Sequence, residues 1–115
     1  MRYLIIVKAT AASEAGEMPS ARLMASMADY HEQLARAGVL LDAAGLQPSA
    51  TGWRIRYDGT RRQLIDGPFA EVKELIAGTT LIEVRSREEA LEWSRRFPAP
   101  LEGLPCEIEV RRLYE

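Results

Sequence analysis

The pattern of apolar and polar positions divides the chain into short and long segments. Tyr3-Leu4-Ile5-Ile6-Val7 is a short, β-branched apolar run. It predicts a strand covered on both faces, or covered on one face and in contact with a second subunit on the other. Ala11 to Met18 has no periodicity and reads as an exposed loop. Pro19 and Ser20 open a helix that Gly38 stops, with Leu23, Met27, Tyr30, Leu34 and Ala37 on one stripe and Met24 widening it. Val39 to Leu46 is a second strand, with Asp42 in its middle. Trp53-Arg54-Ile55-Arg56-Tyr57 alternates, so Trp53, Ile55 and Tyr57 share one face and the arginines the other. Asp58-Gly59 then turns into a return strand, Thr60 to Asp66. Thr79 to Arg85 is a strand with Ile82 and Val84 on one face. Ser86 and Glu89 form a capping box that starts a second helix, with Ala90, Leu91, Trp93 and Phe97 inward and Pro98 ending it. Cys106 to Leu113 is the last strand.

The order is strand, helix, strand, hairpin, strand, helix, strand. Without the hairpin it is β-α-β-β-α-β, which predicts an α+β, ferredoxin-like domain. Two helices cover one face of such a sheet, and these strands are too apolar for the other face to meet water. A two-fold homodimer through that face is therefore expected.

Between the return strand and the next strand lies Asp66-Gly67-Pro68-Phe69. An Asp normally closes a turn onto the N–H two residues ahead, but here that residue is Pro68, which has none. The Asp66 carboxylate is left for the amides of Phe69 or Ala70, or for a ligand. Phe69 follows a rigid turn and is expected to be aimed inward. The turn is either a pocket wall or a tight structural turn.

Asp66-Gly67-Pro68-Phe69-Ala70-Glu71, followed by Lys73-Glu74 and Gly78, resembles the signature of the DGPF-domain proteins of the YCII-related family. Met1-Arg2-Tyr3, Ala37 to Leu41, Gly45 to Pro48 and Ser86 to Trp93 stand in the same order as in that family. The resemblance covers essentially the whole chain. It implies a single domain over residues 1–115 with a dimeric α+β barrel fold, in a family whose biochemical role is mostly unassigned.

Composition narrows the classes further. A chain of 115 residues with 47% hydrophobic and 28% charged residues is one ordinary globular domain. A net charge of −2 gives no reason to expect nucleic acid or an anionic membrane as partner. No apolar run nears the ~20 residues needed to span a bilayer. The single cysteine, Cys106, excludes an internal disulfide, and no zinc spacing is present. These features set the expectation of a cytoplasmic protein without metal. No cofactor is expected either, since haem and flavin have no support at residue level.

His31, the one histidine, lies at the edge of the apolar stripe, where Asp42 is expected to approach it. A carboxylate bonded to the imidazole would orient it and raise its pKa, as a general acid or base requires. The resemblance adds a parallel, because wider family members have a His–Asp pair proposed as catalytic, with the histidine on the first helix. Alignment through Gly38 to Leu41 leaves His31 about one turn from that position. Relatives also tend to carry an aromatic pair where this chain has Thr79-Thr80, and often an acid in place of Ala44. A wider or more polar pocket follows. His31 and Asp42 are thus the candidate catalytic pair, and Asp66, Gly67, Pro68, Phe69 and Lys73 the candidate ligand-binding set. Two functions compete: a small-molecule site, catalytic or not, where Asp66, Phe69, Asp42 and His31 converge, and a non-catalytic interaction module. The second draws on the basic hairpin (Arg54, Arg56, Arg61, Arg62) and on the resemblance, since DGPF-type genes often neighbour those of extracytoplasmic-function sigma factors.

Overall fold

The computed structural model describes residues 1–100 and 103–115. Six strands and three helices follow one another as β1 (Arg2–Lys8), α1 (Ala11–Glu14), α2 (Ala21–Arg36), β2 (Leu40–Gly45), β3 (Trp53–Asp58), β4 (Arg61–Asp66), β5 (Ile76–Glu83), α3 (Arg87–Arg95) and β6 (Ile108–Arg112). Four strands form an antiparallel sheet in the order β2-β5-β1-β6, while β3 and β4 pair only with each other. With the hairpin set aside, the strands stand second, third, first, fourth, which is the ferredoxin-like α+β arrangement.

The register assigns the faces. Tyr3, Ile5 and Val7 lie opposite Ile82, Thr80 and Gly78 on β5, and Ile5 and Val7 lie opposite Val110 and Ile108 on β6. Both helices pack on this face. Tyr30 and Leu34 of α2, with Ala90 and Trp93 of α3, join Tyr3, Ile5, Val39, Ile82 and Val84 in one buried core. The Tyr30 hydroxyl donates to the Trp93 carbonyl at 2.8 Å, and their rings meet edge to face at 6.3 Å. Burial pushes the Tyr30 pKa up to about 12, so the hydroxyl stays a donor. The opposite face carries Leu4, Ile6 and Leu81, all half-buried, with Glu109 and Arg111 on the β6 flank.

Local signals explain the boundaries. Ser20 accepts from the Leu23 N–H and starts α2 directly after Pro19, and Gly38, at φ +74°, ends it. Ser86 accepts from the Glu89 N–H at 3.1 Å, whereas the Glu89 carboxylate bonds the Arg85 N–H, one residue outside the expected box. Gly59, at φ +61°, makes the hairpin turn.

Three expectations are corrected. The segment after β1 is not all loop. Thr10 and Ser13 cap each other's N–H groups and build the one-turn helix α1. Strand β5 begins at Ile76, three residues earlier than Thr79. Leu91 lies outward rather than in the core, since the α3 stripe that meets the sheet is Ala90 and Trp93.

The hairpin projects as an arm. Trp53, Ile55 and Tyr57 share one face with Leu64, and Trp53 and Tyr57 are 63% and 67% exposed. The Cα radius of gyration is 15.8 Å, against about 13 Å for a compact chain of this length, in keeping with a projecting arm. Among the described residues no helix is long and apolar enough to cross a membrane.

Candidate functional site

Side-chain size falls along the helix-facing row of β5, from Ile82 through Thr80 to Gly78. The neighbouring row of β2 is equally slight, with Ala43 opposite Thr80 and Gly45 opposite Gly78. The large residues of the core fill one end of the space between helices and sheet, and at the other end nothing replaces them. A cavity of about 530 Å³ results. Its roof is the outer half of the α2 stripe: Leu23, Met24, Met27, Ala28 and His31. Its floor is Ala43 to Gly45, Ala77 to Thr80 and Val7, while Thr10, Ser13, Phe97 and Pro100 close its ends.

Most of this lining is apolar, and the polar exceptions are specific. His31 Nε2 lies 3.1 Å from Thr80 Oγ1. Among the described residues Thr80 is the one buried polar residue, and the imidazole is its partner. Burial lowers the His31 pKa from its ordinary 6.5, so the ring is neutral at physiological pH. Tyr30 and Phe97 pack edge to face at 5.0 Å, and Tyr30 lies 6.0 Å from the imidazole, which braces the ring from behind. A neutral, braced imidazole bonded through one nitrogen is able to accept a proton from a bound molecule, or to hold a hydroxyl or carbonyl group.

The expected His31–Asp42 pair does not form. Asp42 lies opposite Leu81 after a register slip in β2, which places it on the face away from the helices. Thr80, one residue along β5, takes the place by His31 expected for the carboxylate. The sense of the pKa shift is reversed as well, because burial acts and no carboxylate opposes it.

The Asp66–Phe69 turn also lies apart from the cavity, and none of Asp66, Gly67, Pro68, Phe69 or Lys73 lines it. Asp66 is exposed opposite Trp53 at the base of the arm. The Phe69 N–H donates to Ser49 Oγ at 3.0 Å, so it is a hydroxyl and not the Asp66 carboxylate that takes this amide. Gly67 crosses directly over the Ser49 carbonyl, where an added Cβ would stand 1.9 Å from the oxygen. The Phe69 ring lies beneath the Arg54 guanidinium, 3.9 Å from its centroid, and Arg54 also approaches Glu74 at 3.7 Å. Lys73 is exposed in a single 3₁₀ turn. Ser49 in turn donates both its N–H and its hydroxyl to the Glu14 carboxylate on α1. The motif is therefore a structural knot that ties the base of the arm to α1, and α1 is the end wall of the cavity.

Four positions singled out in the sequence for the site do line the cavity: His31, Ala44, Thr79 and Thr80. Lys8, Thr10 and Ser13 were not foreseen. Thr10-x-x-Ser13 has the spacing of a capping box with Ser in place of Glu or Gln, a signal that was there to be read. Among the described residues, no cluster of three His, Cys, Asp or Glu side chains is arranged to hold a metal ion.

Comparison with known proteins agrees with this architecture. An uncharacterized protein of Rhizobium meliloti (strain 1021) is 34% identical over 74 residues, which is 64% of this chain and 60% of that relative's length. A 5-chloro-2-hydroxyhydroquinone dehydrochlorinase from Burkholderia phenoliruptrix AC1100, solved in complex with 2,5-dihydroxybenzoquinone, superimposes with a TM-score of 0.55 at 17% identity. That superposition covers 99% of this chain and 94% of the other, and it establishes a shared fold. The model of the YCII-related domain matches residues 1–114, and the chain belongs to that family.

Proposed function

We propose that this protein binds a small, largely apolar molecule in the cavity between α2 and the sheet, with the His31–Thr80 pair as polar anchor. The observation that carries the reading is the cavity itself. About 530 Å³ of space with apolar walls and one convergent polar pair is the usual form of a small-molecule site. The dehydrochlorinase that shares the fold holds a compound of one six-membered ring, which is a cargo of suitable size for such a space. A neutral imidazole at the wall also makes proton abstraction from a bound hydroxyl or carbon acid the reaction type that the site favours.

The test uses an apolar probe, naphthalenemethanol, followed by NMR. Shifts of the His31 ring protons, the Met27 methyl and the Thr80 amide are expected, and Met27→Trp should abolish them by filling the cavity. Shifts confined to the arm would overturn the reading.

The exposed aromatic arm favours a second element of function, namely assembly. Trp53, Ile55, Tyr57 and Leu64 form an apolar face on a ribbon about 20 Å long. The sheet face bearing Leu4, Ile6 and Leu81 is also left without a helix over it. One chain offering two apolar surfaces is suited to a two-fold homodimer, in which each surface is used twice. A heterologous regulatory partner on the arm would instead leave the protein alone in solution as a monomer.

A further inference from the structure

The charges around the cavity are one-sided. Among the described residues no Asp or Glu lines it, and the only formally charged lining residue is Lys8. We propose that the cavity is selective for anions. Its occupant is a ring-sized apolar molecule that carries one anionic oxygen group, a carboxylate or an ionised ring hydroxyl, and Lys8 binds that group. This rests on the cavity being a binding site, as proposed above, and adds which chemical class it takes.

Lys8, the last residue of β1, lines the site where the pairing of the strand becomes irregular. The pairing of β1 with β5 slips between Val7 and Lys8, where β5 carries the extra residue Ala77. Beside this bulge both Val7 and Lys8 line the cavity. Among the described residues no carboxylate pairs with the Lys8 ammonium, so its charge is not already neutralised. Ser13, nearby, donates its hydroxyl to the Thr10 carbonyl and does not compete for the ligand. His31, at the other end of the polar set, is neutral and adds no second charge. A cavity whose described lining holds one unpaired ammonium, apolar walls and no acid attracts anions, tolerates neutral molecules and rejects cations.

Three probes that share a naphthalene ring separate these cases: naphthoate, naphthalenemethanol and naphthylmethylammonium, titrated calorimetrically at neutral pH. Naphthoate is expected to bind about tenfold more tightly than the alcohol, the scale of one charge-assisted hydrogen bond, and the ammonium weakest of all. Lys8→Met should abolish the preference for the acid over the alcohol. Equal affinities of acid and alcohol for the native protein would overturn anion selection and leave the cavity as a binding site, as would an unchanged preference in Lys8→Met. If none of the three binds the native protein, the small-molecule reading fails as a whole. Should Lys8→Met not fold, the comparison of probes on the native protein decides alone.

Discussion

His31 concentrates the chemistry of the cavity in one side chain, and its environment sets the sign of its pH behaviour. Folding holds the ring neutral, so the folded pKa lies below 6.5 and protonation opposes folding. The stability this group permits is fully present above pH 6.5 and declines as pH falls from there through the folded pKa. NMR titration should place the His31 pKa below 6.5, and Asp42→Asn should leave it unmoved, because Asp42 lies on the other face of the sheet. A fall of the pKa on that substitution would restore the His–Asp pair. In thermal melts, His31→Asn should flatten the drop in stability on acidification below pH 6.5. Gly67 makes a harder demand at the same scale. Its Cα lies so close to the Ser49 carbonyl that Gly67→Ala has no room for the methyl without moving backbone. A loss of about 2–3 kcal/mol in urea denaturation is expected, the scale of an overpacked site.

At the level of elements, the three-way bond among Glu14, Ser49 and Phe69 connects a one-turn helix, a connecting loop and the motif turn. A four-residue helix has no stability of its own, so α1 depends on this connection and on the Thr10–Ser13 caps. Ser49→Ala should cost about 1–3 kcal/mol through the unsatisfied partners it leaves, and amide exchange at Ser13 and Glu14 should accelerate before exchange in the sheet does. Uniform acceleration across the sheet would mean that the knot serves global stability and not the end wall. This element also shows what a sequence reveals. The strands, both long helices and the hairpin were legible because their periods are local, as with the alternation from Trp53 to Tyr57. The faces of β2 were not, because a bulge near Leu41 shifts the row and moves Asp42 away from His31. The role of the Asp66–Phe69 turn was hidden for a related reason. Its partner is a serine some twenty residues away, and nothing in the local pattern marks Ser49.

For the whole molecule, the arm and the uncovered sheet face make a prediction about assembly. Light scattering at micromolar concentration should give a dimer, and Trp53→Glu combined with Tyr57→Glu should shift it towards monomer without loss of the far-ultraviolet spectrum. A native protein that is monomeric throughout would remove the homodimer and leave the arm to another partner. The taper of side chains along β5 has a separate consequence. Ile82, Thr80 and Gly78 lie in one row, yet the first anchors the core and the last bounds empty space. At Gly45 an added Cβ meets nothing within 4 Å, so that position is able to vary without disturbing the packing that keeps the chain folded, whereas at Gly78 it would stand 2.9 Å from the Ala44 carbonyl oxygen. Such a division separates the shape of the cavity, which a few substitutions at the open end are able to alter, from the scaffold at the closed end.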